Sequence, residues 1–257
     1  MENRDMKILI TNDDGVFANG IIELAKELEK HYSICIVAPN CQKSATSHSI
    51  TIDKPLIIKE EKLEGIKSRA FSISGTPADC TRVGVNKIMD GKVDMVISGI
   101  NNGFNLGTDI LYSGTVSAAI EAAILKIPSI AFSCDGNSGS YKECAKIAKD
   151  LIEKLEKSPL KNDLVLNVNF PSLKSVNLKK NYEFKVSKMG EKKYDNLYVE
   201  TLNEDGSKSI NISGTPIKNN EADTDVLNIE NGYITITPLH YDLTNFKILY
   251  EIEEKLI

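Results

Sequence analysis

Histidine is scarce in this chain: only His31, His48 and His240 occur among 257 residues. A structural or catalytic zinc centre built mainly on imidazole is therefore hard to assemble. The five cysteines, Cys35, Cys41, Cys80, Cys134 and Cys144, are odd in number and show no CxxC spacing. That pattern speaks for reduced thiols, mostly packing residues, rather than a disulfide framework or a zinc knot. Basic excess is also missing. The formal charge is -5, and no Lys/Arg block is interleaved with aromatics, so a broad surface for a nucleic acid polymer is not expected and any such contact would be local. No long apolar run opens the sequence: Met1-Glu2-Asn3-Arg4-Asp5 is charged and leads into only three consecutive aliphatics. This is too short for a signal peptide or a membrane span, so a cytoplasmic protein with no membrane partner is expected. Glycine motifs of two large enzyme classes are absent as well. No Gly-Lys-Ser/Thr follows the glycine-spaced stretch and no GxGxxG is present, which disfavours an NTPase or a dinucleotide-driven oxidoreductase.

What is present is an ordinary globular composition, long enough for one large domain or two small ones. From residue 6 to about 170, apolar β-rich runs over 7–11, 33–38, 70–74, 95–98, 129–133 and 164–169 alternate with amphipathic segments. Ile21, Leu24 and Leu28 recur at helical spacing, as do Val116, Ala119, Ile120 and Ala123, and Cys144, Ile147, Leu151 and Leu155. Strands alternating with helices predict βαβ units and a doubly wound α/β core. After Pro171 the pattern shifts to Lys/Asn-rich segments with short alternating runs over 182–186, 197–201, 209–212 and 233–237. We read a core over 1–175 and a β-hairpin-bearing extension over 176–257. The tail places Phe246, Leu249, Ile252 and Leu256 near one helical face, predicting a docked terminal helix with Asp242 or Thr244 as its cap. Ile-Ser-Gly-Thr-Pro occurs at 73–77 and again at 212–216 with different flanks, and we treat this as coincidence. In the first copy, Thr76 is placed to cap a helix with Pro77 at its first position.

Chemistry concentrates at the ends of the strand-like runs. Asn12-Asp13-Asp14-Gly15 closes the first run. Two unscreened carboxylates about 4 Å apart repel by roughly 4 kcal/mol at an effective dielectric near ~20, so a pair held there invites water or a metal. The other reading is a turn whose aspartate caps the next helix. The segment 39–48 follows the second run, and Gly99-Ile100-Asn101-Asn102-Gly103 follows the fourth. In open α/β sheets this carboxyl edge is where ligands bind. The hard oxygen donors available there, the Asp13 and Asp14 carboxylates, the Ser44 hydroxyl and the Asn101 amide, suit magnesium, manganese or calcium. For Ser44 and Asn101, ordinary turn chemistry is the competing account. Ser113-Gly114-Thr115 opens an amphipathic helix; its backbone N–H groups could cradle a phosphate, or Ser113 or Thr115 could simply cap the helix. A hard-metal site beside a phosphate cradle points to metal-assisted phosphoester hydrolysis, with Asp13 or Asp14 orienting or deprotonating the water and Asn105 stabilising added charge. His48 and His240 are the other candidates for proton transfer.

These residues, in this order, resemble the survival protein E (SurE) family of metal-dependent nucleotidases. The likeness runs through Ile10-Thr11-Asn12-Asp13-Asp14-Gly15, Ala38-Pro39 to Ser44, His48-Ser49-Ile50-Thr51, Gly75-Thr76-Pro77-Ala78-Asp79-Cys80, Ser98-Gly99-Ile100-Asn101 to Gly107, and Tyr112-Ser113-Gly114-Thr115-Val116. Thr224-Asp225, Ile236-Thr237-Pro238-Leu239 and Asp242-Leu243-Thr244 continue it. The resemblance implies a Rossmann-like three-layer α/β/α core and a C-terminal extension exchanged between subunits of a homodimer or homotetramer. It implies one divalent cation per subunit, magnesium or manganese, on Asp13, Asp14, Ser44 and Asn101. Substrate contacts would fall on Asn105, Ser113, Gly114, Thr115 and His48. The implied activity is release of phosphate from nucleoside 5′- and 3′-monophosphates, with exopolyphosphate cleavage in some members. Two departures stand out: Asn40-Cys41-Gln42-Lys43 lacks the acid and arginine often found before the serine, and Ser47 stands where glycine is common. A non-catalytic nucleotide- or metal-sensing module is the alternative. A metal-dependent deacetylase would need paired histidines, which are not suitably spaced here.

Overall fold

The computed structural model describes residues 6–136, 140–159, 164–172, 182–218 and 220–256. The chain starts in β1 (Lys7–Thr11), followed by α1 (Asn19–Leu28), β2 (Ser33–Pro39), β3 (Ile58–Glu61), β4 (Ala70–Ile73), α2 (Pro77–Val83), β5 (Met95–Asn102) and α3 (Gly114–Ile124). It continues through β6 (Ser129–Cys134), α4 (Tyr141–Glu156), β7 (Val165–Phe170) and β8 (Phe184–Val186). The last elements are β9 (Lys193–Leu202), β10 (Lys208–Ile217), α5 (Asp225–Glu230), β11 (Ile234–Leu239) and α6 (Leu249–Leu256).

β1 sits in the middle because its Ile8, Leu9 and Ile10 are all fully buried, and a strand covered on both faces reads as a continuous apolar run. Each such burial contributes about 2 kcal/mol. Ile8 and Ile10 face a core shared with Ile34, Ile36 and Ala38 of β2 and with α1 and α4. Leu9 faces the opposite side with Cys35, Val37, Cys80 and Ala122. The helical stripes land as their spacing predicts: Ile21, Leu24 and Leu28 of α1 and Cys144, Ile147 and Leu151 of α4 are buried. Alanines at 119, 122 and 123 let α3 approach the sheet closely. Three layers result, with α1 and α4 on one face and α2 and α3 on the other.

The nine-stranded sheet runs β3-β4-β2-β1-β5-β6-β7-β11-β8. The chain moves outward from β1 to β2 and β4, then returns past β1 to β5, β6 and β7. Strand order therefore reverses between the parallel neighbours β1 and β5, which opens a crevice beyond their carboxyl ends.

Several expectations change. β3 is a short exposed edge strand, IKEE, antiparallel to β4, whose charges hid it from an apolar scan. The runs near 182–186 and 233–237 are not part of a separate hairpin. β11 pairs antiparallel with β7 and carries β8 on its outer edge, so the main sheet takes both up. Only β9 and β10 form a two-stranded hairpin of their own. The expected boundary at 175/176 lies outside the described residues. The tail helix begins at Leu249, and Asp242 instead accepts the Thr244 backbone N–H at 2.8 Å in an upstream turn. Phe246, Leu249 and Ile252 are exposed rather than docked within this chain; the Leu256 side chain lies outside the described residues. The second Ile-Ser-Gly-Thr-Pro falls inside β10, whereas the first ends β4 and caps α2 through Thr76, with Asp79 completing a capping box. All five cysteines are free, and four are buried. Among the described residues, no helix is long and apolar enough to cross a membrane.

Gly20 marks where α1 meets β5: an added Cβ would lie 1.9 Å from the Ile100 carbonyl oxygen. Gly20→Ala must push the helix off the strand that carries Asn101. We expect a loss of about 1–3 kcal/mol, read as a lower thermal midpoint. An unchanged midpoint would contradict this packing.

Candidate active site

The first loop is built by Asn12 and Gly15. Asn12 Nδ2 donates to the Gly15 carbonyl at 2.9 Å, and the Gly15 N–H returns to Asn12 Oδ1 at 3.1 Å. Gly15 has φ 103°, a conformation that favours glycine. The closed turn breaks the strand's alternation and sends its two aspartates to different partners. Asp13, 5 % exposed, accepts the Thr115 hydroxyl on Oδ1 at 2.5 Å. The first turn of α3 presses on it from above: a Cβ on Gly114 would lie 2.9 Å from Asp13 Cβ and 3.1 Å from its Oδ2. Asp14 accepts the Asn102 backbone N–H on Oδ2 at 3.0 Å. Neither caps α1, whose N-cap is Ala18 with no side-chain bond, so the helix-cap reading fails.

Electrostatically the pair is under-compensated. Burial pushes Asp13 up from 3.8 to about 6; the Thr115 bond pulls the other way and the Asp14 charge adds to the rise. Asp14 is raised by burial against the Asn102 bond. No ion pair among the described residues involves either. A buried carboxylate is ordinarily paired, hydrogen-bonded or coordinated to a metal. No group of three or more His, Cys, Asp and Glu able to hold a metal occurs among the described residues, so an ion at this place needs mixed oxygen donors. Asn101 fits that need: its Nδ2 is bonded to the Gly103 carbonyl at 2.9 Å, which leaves the amide oxygen as the ligating end.

The irregular segment 40–51 is fastened at several points. The Lys43 N–H donates to the Asp13 carbonyl at 2.7 Å and the Ser47 N–H to the Tyr112 carbonyl at 3.1 Å, which brings the Ser44 loop over the aspartates and against the approach to α3. Ser44 itself is exposed and its Oγ accepts Gln42 Nε2 at 2.9 Å. Ser47 has φ 51°, which is why glycine suits this position and why serine here carries a small backbone cost. Downstream, Thr76 Oγ1 donates to the Ser49 carbonyl at 2.7 Å, and buried Asp79 accepts the Thr51 N–H at 3.0 Å. His48 adds a further fastening: its Nε2 lies 2.8 Å from Glu121 Oε2, while Arg82 Nε donates to Oε1 at 2.8 Å. That commits Nε2, so only Nδ1 remains for any substrate contact. His240 is not tied to the pair; its Nδ1 accepts the Asp242 N–H at 3.0 Å and its ring stacks on Tyr241.

Ser113 caps α3 by accepting the Val116 N–H at 3.1 Å, and Thr115 is the residue that reaches Asp13. Asn105 stands apart from the aspartates, packed on the ends of β6 and β7 through Ser133, Asn167 and Asn169. It joins the site through the sheet, where Ser133 pairs in register with Asn101. The turn Gly107–Tyr112 is held from below by Asp225, which accepts the Gly107 and Gly190 N–H groups at 2.9 Å each. Sequence reasoning passed over Glu121, Arg82, Asn167 and Asn169. Signals existed: Glu121 is a lone acid in an otherwise apolar helix, 2 % exposed at its side chain, and Asn167 and Asn169 are two amides at alternate positions of an apolar strand.

Fold and site together define an α/β protein with a cluster of oxygen donors at a strand-order switch, next to a helix N-terminus suited to anions. The comparisons speak to family and fold. The family described as Survival protein SurE matches residues 8–196. A 5′-nucleotidase SurE of Clostridium botulinum is 49% identical over 252 residues, covering 97% of this chain and 98% of the relative. That of Clostridium tetani is 51% identical over 249 residues, covering 96% and 98%. The crystal structure of a SurE protein from Aquifex aeolicus superposes with a TM-score of 0.83 at 37% identity, covering 96% of this chain and 98% of that one. This chain belongs to the SurE family.

The buried aspartate makes a prediction about stability. Native Asp13 holds its proton up to about 6 and the unfolded chain only to 3.8, so the native state binds more protons between these values and stability falls as pH rises through them. In excess chelator, Asp13→Asn should melt higher than the parent at pH 7.5, and the gap should close as pH falls from about 6 toward 3.8. A gap of the opposite sign, or one independent of pH, would refute the burial argument.

Proposed function

We propose that this protein is a divalent-metal-dependent phosphomonoesterase that releases phosphate from nucleoside 5′-monophosphates, as the names of its relatives suggest. The observation that carries the reading is the buried Asp13 carboxylate, without an ion-pair partner among the described residues, held beside Asp14 against the first turn of α3. The cation is magnesium or manganese, one per subunit, on oxygens of Asp13, Asp14, Ser44 and Asn101. When bound, it supplies Lewis-acid polarisation of a phosphoryl oxygen and acidifies a water.

The chain's own groups do the rest. At the N-terminus of α3 the Gly114 N–H is offered to an anion, and Gly114 removes the side chain that would block its approach. Ser113 occupies the Val116 N–H and Thr115 gives both its hydroxyl and its backbone N–H to Asp13, so the cap fixes the helix start and leaves the Gly114 donor to the phosphoryl group. Thr115 aligns Asp13 through its hydroxyl, and Asp14 is aligned by the Asn102 N–H; one of the two takes the proton of the attacking water. Asn105 Nδ2 carries two hydrogens and gives one to Ser133, so the second meets a phosphoryl oxygen as charge develops. His48, locked on Glu121, acts by holding the Ser44 loop. The protein works in the cytoplasm on a small nucleotide, with 3′-nucleotides and short polyphosphates as further substrates to test.

Assembly follows from what the C-terminal part leaves uncovered. The β9–β10 hairpin exposes Tyr198, Leu202, Ile210 and Ile212, and α6 exposes Leu249 and Ile252. Apolar surface of this extent in consecutive elements marks an interface, and a homodimer or homotetramer built by exchange of these arms covers it. Light scattering should give the mass of two or four chains, and Ile212→Asp with Leu249→Asp should shift it to one. A monomeric parent protein would refute the assembly.

Activity is tested with a panel of 5′- and 3′-mononucleotides and short polyphosphates, each with magnesium and with manganese. Asp13→Asn and Asp14→Asn should each lower kcat/KM by about a hundredfold or more, and excess chelator should abolish turnover. Full phosphatase activity in either variant or in chelator overturns the mechanism. Nucleotide binding without any phosphate release would make the protein a sensor instead.

A further inference from the structure

Asn105 is restrained at its N–H, its carbonyl and its side chain, and these restraints come from two strands that the mechanism does not otherwise use. Asn169 makes a two-pronged contact with its backbone: Asn169 Oδ1 accepts the Asn105 N–H at 2.9 Å and Asn169 Nδ2 donates to the Asn105 carbonyl at 2.9 Å. Asn167 Nδ2 donates to the same carbonyl at 2.8 Å. The Asn105 side chain gives Nδ2 to Ser133 Oγ at 2.8 Å. Ser133, Asn167 and Asn169 are all fully buried.

The surrounding face is polar at a cost. Leu166, Val168 and Phe170 point the other way, into the main core. Opposite Asn167 and Asn169 in register stand Thr237 and Thr235 of β11, on the same face because antiparallel partners share one. The Thr235 and Thr237 hydroxyls and Asn167 Oδ1 are buried with no hydrogen-bond partner among the described residues. A face kept only for stability would carry valine or leucine here and avoid that desolvation. Local rules broken without a gain in stability point to function. What this face accomplishes is to fix the backbone of one residue, Asn105, and the orientation of its amide. The Ser133 end also lies beside Asn101 in the sheet register, so the clamp references Asn105 to the strand that bears a cation donor.

We propose that Asn169, Asn167 and Ser133 are positioning residues that hold Asn105 for its contact with the phosphoryl group. The proposal rests on the nucleotidase reading above and adds to it three residues that touch neither substrate nor metal. It distinguishes a clamp acting through Asn105 from a polar patch that merely stabilises β7.

A double-mutant cycle separates the two. Asn169→Ser is made in the parent protein and in Asn105→Ala, with kcat and KM for adenosine 5′-monophosphate, inhibition by inorganic phosphate and the thermal midpoint measured for all four proteins with manganese. Asn105→Ala and Asn169→Ser should each lower kcat/KM by about tenfold to a hundredfold, the range that misplacement of one group by an ångström brings. The double variant should be within about twofold of Asn105→Ala, because a clamp has no amide left to orient, whereas the fall in thermal midpoint from Asn169→Ser should be equal in both backgrounds, because its bonds go to the residue 105 backbone, which Asn105→Ala keeps. Multiplying losses in kcat/KM overturn the proposal. If Asn105→Ala leaves turnover and phosphate inhibition unchanged, the proposal also fails, but the nucleotidase reading stands as long as Asp13→Asn and Asp14→Asn lose activity. Should Asn169→Ser not fold, the smaller change Ser133→Ala is carried through the same cycle and decides between the same outcomes.

Discussion

The arrangement depends on one contact, the burial of the Asp13 carboxylate between the end of β1 and the first turn of α3. A helix N-terminus favours a carboxylate, since the unsatisfied N–H groups and the helix dipole are positive at that end, yet at Asp13 the cost of burial outweighs this attraction. The contact needs a helix start without bulk, which Gly114 supplies, and a loop that turns at once, which Asn12 and Gly15 supply. It also needs β1 and β5 to be neighbours whose following segments diverge. The reversal of strand order between them provides that gap, so the same topology that buries Ile8, Leu9 and Ile10 leaves the ends of these strands open to a ligand.

Around that contact the molecule uses buried acids to fix irregular chain. Asp79 gathers the Thr51 and Thr76 N–H groups, Asp225 gathers those of Gly107, Gly190 and Val226, and Glu121 takes His48 and Arg82. Each has two or more donors on its oxygens, so its charge is compensated by groups of this chain, and hydrogen bonds to a charged acceptor run about 1.5–3 kcal/mol each. Asp13 differs. It is buried beside a like-charged neighbour with no ion-pair partner among the described residues, and the bonds from the Thr115 hydroxyl and backbone N–H do not offset that burial, so its proton affinity rises. Acids that are compensated hold loops, and the one that is not marks where an outside charge belongs.

Legibility followed the range of the interaction. β1 was readable residue for residue because its signal is local and apolar, and the helical stripes on α1, α3 and α4 came from spacing alone. The Thr76 cap with Pro77 is equally local, and the structure forms it. Strand order, by contrast, is a property of the whole chain, and β11 was read with the extension because nothing in Ile234–Leu239 names β7 as its partner. The repeated Ile-Ser-Gly-Thr-Pro makes the point within one molecule: followed by Ala-Asp it ends a strand and starts a helix, and followed by Ile-Lys it stays extended to Ile217. At the site, residues were legible where a motif carried them, at Asp13, Asp14, Ser113 and Thr115. The ones that hold others in place, Glu121 for His48 and Asn169 for Asn105, act across 73 and 64 positions of sequence and leave only a misplaced polar residue as a trace.

The same long-range ties argue that the C-terminal part is mechanically part of the site. Thr108 and Lys192 exchange hydrogen bonds, and Asp109 accepts Lys192 Nζ at 2.6 Å and the Tyr194 hydroxyl at 2.5 Å. Burial works against the Lys192 charge, yet the Asp109 and Tyr194 bonds more than offset it, so the contact is a charged one in a half-buried setting. Asp225 adds its bonds to Gly107 and Gly190. All of these land on the turn Gly107–Tyr112, whose end is the Ser113 cap of α3. The root of the β9–β10 hairpin is thus two short links from the helix start that faces Asp13. Whatever steadies that root steadies the turn and the Ser113 cap with it.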